Sequence, residues 1–134
     1  MLRGIMITLF DFKIGPIPKV VYPNNFLGNP SIVYDTCVRI WTTLGIINLE
    51  EAIGVKYTYL NNVDMFVCVY FNKSDGKTYG IAAFFSKEDA NVIVANVSKC
   101  GVLIKAQKID INKGEDELIN DAQNIFVDLD SLCR

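Results

Sequence analysis

The sequence predicts an α+β fold: one five-stranded antiparallel sheet with helices on both faces. Three observations predict it. A strand, a Gly-Pro turn and a second strand come before any helix, and one strongly amphipathic helical segment follows this hairpin directly. Three β-rich segments and then two helical segments complete the chain. The order β-β-α-β-β-β-α-α closes into one sheet if the last strand pairs beside the first, which leaves the second and third strands at the edges.

Length and composition limit the possibilities. With 134 residues the chain has the size of one domain, and we expect a single domain over residues 1–134. Apolar residues make up 51% and charged residues 21%, with a formal net charge of -2, which is typical of a globular chain. The basic residues are scattered, so we expect no nucleic acid as a partner.

The opening hairpin covers residues 5–23, where two β-rich segments flank Gly15-Pro16. Asp11 lies between two aromatic residues near this turn, and we expect it to hydrogen-bond the backbone rather than to protonate a substrate. After a short polar connection, Asn29 and Pro30 predict the N-cap and first position of a helix. Gly45 stands where a glycine C-cap belongs. One face of this helix is apolar: Val33, Cys37, Ile40, Trp41 and Leu44.

The middle of the chain predicts three strands. Residues 55–59 alternate, with Val55, Tyr57 and Tyr59 on one side, as expected of a half-exposed strand. Residues 65–71 are apolar without a break, which suits a central strand that is covered on both faces. Residues 72–76 form a hairpin loop with Gly76 at a positive backbone angle, and residues 78–85 return as the next strand.

Two helices complete the prediction. Residues 86–89 have the form of a capping box ahead of a long helical stretch whose middle is weakened by Gly101. The apolar residues of that stretch are Ala90, Ile93, Val94, Val97 and Ile104. A polar break at residues 112–114 leads to the last helix. Its apolar face consists of Leu118, Ala122, Ile125, Phe126, Leu129 and Leu132.

The sequence predicts no metal site and no cofactor. It contains no histidine and no Cys-x-x-Cys pair, which removes the usual zinc spacings. All four cysteines lie in apolar stretches, so we expect reduced, buried thiols: Cys37, Cys68, Cys100 and Cys133. The apolar run after Arg3 is too short for a secretory signal or a membrane span, so we expect a soluble, cytoplasmic protein.

Catalysis is not expected, and we name no catalytic residue. Gly76-Lys77-Thr78 resembles the end of a phosphate-binding loop, but Phe71 stands where its first glycine belongs and a β-rich segment follows in place of a helix. Acidic pairs lie mostly at predicted helix starts, where they offset the helix dipole. Without histidine, a serine or cysteine nucleophile lacks its commonest base.

The order of elements resembles that of the longin domains, and the resemblance covers the whole chain as topology. The opening residues are similar to longin domains of DENN-type and amino-acid-signalling regulators, in which a Phe-rich strand runs into Gly-Pro and ends at Tyr-Pro. The matching residues are Phe10-Asp11-Phe12, Gly15-Pro16 and Tyr22-Pro23.

This resemblance implies a non-enzymatic adaptor or scaffold. Longin and roadblock domains pair with each other and bind small Ras-like GTPases in trafficking or signalling, so the expected partners are such a GTPase and a second copy or another longin or roadblock protein. The chain differs from SNARE members because no heptad region or membrane anchor follows up to Arg134. We therefore expect no direct membrane insertion and leave open recruitment to membranes through partners.

Two segments predict the partner interface. The apolar arc of the first helix spans roughly 160°, wider than the stripe of about 100° that one sheet needs. Its surplus residues face a partner unless the late helices or a loop cover them: Tyr34, Val38 and Trp41. The prolines and the lysine of the second strand discourage pairing at that edge of the sheet. The third strand, at the other edge, is freer to pair with a partner. Its predicted contacts are Lys56, Tyr57 and Thr58.

Another class of function is a small-ligand sensor, because a curved sheet under helices can hold an apolar pocket. The residues that would line it are Met65, Phe66, Tyr70 and Phe84. The competing interpretation is that these side chains form ordinary core. Actin-related binding is a third possibility because the profilin fold is also a small sheet between helices, but profilins begin with a helix.

Overall fold

A computed structural model describes residues 2–44, 54–107 and 109–132. The strands are β1 (Leu2–Asp11), β2 (Gly15–Tyr22), β3 (Gly54–Leu60), β4 (Met65–Ser74) and β5 (Lys77–Ser86). The helices are α1 (Pro30–Leu44), α2 (Ala90–Lys105) and α3 (Glu115–Leu132), with a 3-10 turn over Lys87–Asp89 before α2. This order confirms the predicted fold class.

The sheet has five strands in the order β2-β1-β5-β4-β3, and every neighbouring pair is antiparallel. β1 pairs with β5, for example Ile7 with Ile81, so the last strand lies beside the first as predicted. β2 and β3 are consequently the edge strands. A register shift between Ile7 and Thr8 interrupts the ladder to β2.

The two tight turns follow from local side-chain chemistry. At the β1–β2 turn, Asp11 Oδ1 accepts hydrogen bonds from the backbone N–H of Lys13 (2.7 Å) and of Ile14 (3.0 Å), which confirms its predicted role. The β4–β5 hairpin is tighter than predicted. Its strands continue to Ser74 and from Lys77. Asp75 (φ 52°) and Gly76 (φ 76°) alone make the turn, as two-residue hairpins with positive angles at both positions do.

Helices cover both faces of the sheet, and the alternation along β4 shows how. Its residues 65, 67, 69 and 71 pack with α1, whereas residues 66, 68 and 70 point to the core beneath α2 and α3. A strand buried on both faces has no polar period, which explains the unbroken apolar run in the sequence.

The start of α1 is as predicted. Asn29 Oδ1 accepts a 3.0 Å hydrogen bond from the Ile32 N–H, which satisfies one of the free donors of the first helical turn. Cys37 and Ile40 are fully buried on its sheet-facing side. The predicted cap Gly45 lies outside the described residues, as does Cys133.

Gly101 does not interrupt α2, which continues to Lys105. A Cβ atom at Gly101 would lie 3.0 Å from Val55 Cγ2, so the glycine permits α2 to approach β3 closely. Ile104 is fully buried in the core. The side chains of the other apolar residues predicted for this helix, from 90 to 97, lie outside the described part.

α3 covers β1 and β2 with the predicted apolar face. Its buried residues are Leu118, Ala122, Ile125 and Leu129. Phe126 is partly exposed and packs edge-to-face on Tyr22 of β2, with ring centroids 5.6 Å apart. The side chain of Leu132 is outside the described part.

Candidate partner interface

Tyr34 and Val38 lie on the outer side of α1. The Tyr34 side chain is 51% exposed and Val38 is partly exposed. Helices α2 and α3 pack on the opposite face of the sheet, so they do not cover these residues. An aromatic and an aliphatic side chain therefore remain accessible on a helix that is anchored by its other face.

Trp41 belongs to the core and not to this surface, which corrects the prediction. It is fully buried, and its ring contacts Phe10 and Phe71 at centroid distances of 5.5 and 4.9 Å. Its Nε1 donates a 2.9 Å hydrogen bond to Thr8 Oγ1. The apolar arc of α1 is wide because Trp41, at its side, packs against Phe10 near the end of β1 as well as against Phe71 of β4.

The two flanks of α1 differ. Asn62, in the β3–β4 turn, donates hydrogen bonds to Asp35 Oδ2 (3.2 Å) and Thr36 Oγ1 (3.1 Å), so that flank faces β3 and β4. Tyr34 precedes Trp41 by seven residues, or about two helical turns, so the two side chains leave the helix in nearly the same direction. Because Trp41 hydrogen-bonds Thr8 of β1, this flank of α1 is the one nearer β1. The predicted helix surface therefore faces away from the β3–β4 turn.

The β3 residues occupy the predicted edge but do not share one face. Lys56 Nζ donates a 3.2 Å hydrogen bond to the Leu44 carbonyl, one of the acceptors left free at the end of α1. Thr58 points to the same face as Lys56 because strand side chains alternate. Tyr57 is 48% exposed on the opposite face. The predicted interface thus divides into an α1 surface and a β3 edge.

The four residues proposed to line a ligand pocket are divided in the same way. Met65 and Phe84 belong to the core beneath α1, while Phe66 and Tyr70 lie in or against the core beneath α2 and α3. Consecutive residues of a strand point to opposite faces, so Met65 and Phe66 cannot line one cavity. The ordinary-core interpretation accounts for their placement.

A surface that the sequence analysis missed is the tip of the β1–β2 hairpin. Phe12 is 76% exposed and Ile14 is 70% exposed. The Phe12 ring packs edge-to-face on Phe10, with centroids 5.5 Å apart, and Phe10 in turn contacts Trp41. The structure places the turn at residues 12–14, whereas the sequence predicts it at Gly15-Pro16, which begins β2. Once the turn is located, two large apolar residues among its three are a signal, because polar residues dominate such turns.

The shifted pKa values have structural causes. Two backbone N–H donors lower the pKa of Asp11, and burial raises the pKa of the Cys37 and Cys68 thiols to about 11. A hydrogen bond to Asp64 raises the pKa of Tyr59, and Lys87 Nζ lies 3.7 Å from the same carboxylate. Within the described ranges, no three potential metal ligands come together.

No protein-family model, curated protein or solved structure matches the chain. Among the described residues, no helix is both long enough and apolar enough to cross a membrane. The resemblance to longin domains therefore stays a prediction that depends on the opening residues and on the order of the elements.

Proposed function

We propose that the chain is a non-enzymatic adaptor that dimerises and binds a small Ras-like GTPase in trafficking or signalling, in the cytoplasm. The observation that carries the proposal is that Tyr34 is exposed and Val38 partly exposed on a helix whose inner face is buried in the core. Recruitment to a membrane would then follow from the partner.

The composition of the α1 surface supports a protein partner. Tyrosine combines a large contact area with few rotatable bonds, and it is enriched at interface centres together with arginine. On the flank of α1 towards the β3–β4 turn, Arg39 Nε lies 3.0 Å from Asp35 Oδ2, and both side chains are about half exposed. An apolar centre with charged groups at its side is the usual anatomy of a protein interface.

The β3 edge supports the dimer. Of the two edge strands, β2 carries Pro16 and Pro18, which have no backbone N–H to donate to a neighbouring strand. β3 contains no proline and carries the exposed Tyr57 and Tyr59. A second chain can therefore extend the sheet at β3 more readily than at β2.

The experiment is a calorimetric titration of the chain with purified Ras-like GTPases loaded with GDP or a GTP analogue, which measures the dissociation constant. We expect Tyr34→Asp and Val38→Asp to weaken binding at least about tenfold, since each places a charge in the apolar centre. The matched control is Val127→Asp, because Val127 is exposed on α3 across the sheet.

Circular dichroism shows whether each variant is folded, and light scattering after size exclusion gives the oligomeric state. Normal binding by both α1 variants would contradict the α1 surface as the interface. A monomer that binds none of the GTPases would contradict the proposal as a whole.

A further inference from the structure

The tip of the β1–β2 hairpin carries the two most exposed large apolar side chains in the described part of the chain, Phe12 and Ile14. Lys13 lies between them and is also exposed. Such residues in a turn remain in contact with water unless another surface covers them, and turns ordinarily carry polar residues.

The tip is held in place by the core. The Asp11 carboxylate accepts two backbone hydrogen bonds across the turn, from Lys13 and Ile14. The Phe12 ring rests on Phe10, which contacts the fully buried Trp41. The exposed side chains are therefore presented by an ordered turn.

The surroundings of the tip are cationic relative to the whole chain. Thr78 of β5 pairs with Phe10 of β1 on one side and with Lys73 of β4 on the other. The β4–β5 turn therefore lies at the same end of the sheet as the β1–β2 turn. Lys77 and Lys13 border one surface cleft together with Phe12. The two turns carry three lysines and two aspartates, a net charge of +1, in a chain whose net charge is -2.

Both aspartates are engaged locally. Asp11 accepts the two turn amides, and Asp75 Oδ2 accepts a 3.0 Å hydrogen bond from Asn112 Nδ2. Lys77 Nζ donates a 2.9 Å hydrogen bond to the Oδ1 of the same Asn112. Asp75 is exposed, as are Lys13 and Lys73, and hydrogen bonds from neutral donors do not cancel the charge of a carboxylate. Both aspartates therefore count in the net charge of +1.

We propose that this tip docks on an anionic lipid bilayer. Phe12 and Ile14 enter the boundary between headgroups and acyl chains, and the lysines at residues 13, 73 and 77 contact lipid phosphates. Exposed apolar side chains with adjacent cations fit a deformable anionic surface, where basic residues gain from the surface potential. The contact is one turn deep, and it differs from the expectation that the chain makes no direct membrane insertion.

The test is co-sedimentation of the purified chain with phosphatidylcholine vesicles that contain about one third phosphatidylserine, a strongly anionic surface. We expect binding to these vesicles, none to pure phosphatidylcholine, and a decrease at high salt. Phe12→Ser and Ile14→Ser should each reduce the bound fraction, with a loss in partition coefficient of about tenfold for the phenylalanine. Val127→Ser, which removes an exposed apolar side chain on α3, should bind normally.

Two results would overturn the proposal: no sedimentation of the wild-type chain with anionic vesicles, or unchanged sedimentation of Phe12→Ser. The first result would also be obtained if the tip binds a protein instead. Tyr34→Asp should sediment like the wild type, and the assay contains no GTPase. Failure here is therefore distinguishable from failure of the proposed adaptor function.

Discussion

The indole Nε1 of Trp41 donates a 2.9 Å hydrogen bond to Oγ1 of Thr8, a residue 33 positions earlier. The same hydroxyl donates to the Ile17 carbonyl at 2.8 Å and lies 3.0 Å from Cys37 Sγ. Thr8 is fully buried, so one side chain joins α1, β1 and β2 within the core.

Replacing Thr8 by valine should lower the free energy of unfolding by about 1–3 kcal/mol, because it leaves the Trp41 N–H and the Ile17 carbonyl without their partner. Thr8→Ser keeps the hydroxyl and should cost less. Urea denaturation followed by fluorescence of Trp41, the one tryptophan of the chain, measures both values. An unchanged free energy of unfolding in Thr8→Val, which keeps the methyl group and lacks only the hydroxyl, would contradict a stabilising role of these hydrogen bonds.

Gly4 lies directly under the Phe26 ring. A Cβ atom at Gly4 would overlap with Phe26 Cδ1, and the Phe26 ring also packs on Phe84 with ring centroids 5.2 Å apart. Gly4→Ala should therefore destabilise the fold by about 1–3 kcal/mol through overpacking.

The control is a double-mutant cycle with Phe26→Ala, which removes the ring. In that background Gly4→Ala should cost almost nothing, as measured by urea denaturation. If Gly4→Ala is equally costly with and without the ring, the close approach is not the cause.

The buried thiols predict a loss of stability at alkaline pH. Burial raises the pKa of Cys37 and Cys68 from 9.0 to about 11. Between these values the unfolded chain has released the thiol proton and the folded chain has not. The free energy of unfolding therefore falls as the pH rises, by up to about 1.4 kcal/mol per pH unit for each thiol. Below pH 9 this contribution is fully present.

Other groups titrate in the same range, so the decisive comparison is with Cys68→Ala. This variant should show a shallower decline of stability with pH than the wild type. Identical slopes would contradict an elevated pKa at Cys68.

Asp11 should titrate below its ordinary value. Hydrogen bonds from the Lys13 and Ile14 N–H groups hold the carboxylate ionised and lower its pKa from 3.8. The turn is thus stabilised above pH 3.8, and this contribution is lost as the pH falls through the lower, folded-state pKa. A carboxyl NMR titration gives the midpoint directly. In Asp11→Ala, amide exchange at Lys13 and Ile14 should become faster, and unchanged exchange would contradict the capping role.

Local patterns were sufficient for the elements and their order. Alternation placed Val55, Tyr57 and Tyr59 on one side of β3, and the Asn29-Pro30 pair located the start of α1, because both signals depend only on neighbouring residues. The two edge strands followed from topology rules, which need the order of elements and nothing more.

What could not be predicted depends on contacts between distant segments. The width of the apolar arc on α1 indicated surplus residues, but the burial of Trp41 depends on Phe10 and Phe71 from two strands. Gly101 looked like a weak point in a helix until Val55 was seen beside it. Similarly, Phe12 and Ile14 belong to an apolar opening segment, and only the position of the turn shows that they leave the core.

The position of β1 between β2 and β5 has a consequence for biosynthesis. Its first partner, β2, follows after a short turn. Its second partner, β5, pairs Phe85 with Leu2 and is available only after most of the chain has been synthesised. Until β5 emerges from the ribosome, β1 exposes an unpaired edge with the apolar residues Ile5, Met6 and Ile7, a state prone to association between chains. Fragments that end before Lys77 should therefore aggregate. Folding should be slow for a chain of this size, because the pairing of β1 with β5 joins strands that are farther apart in sequence than those of any other strand pair in the sheet.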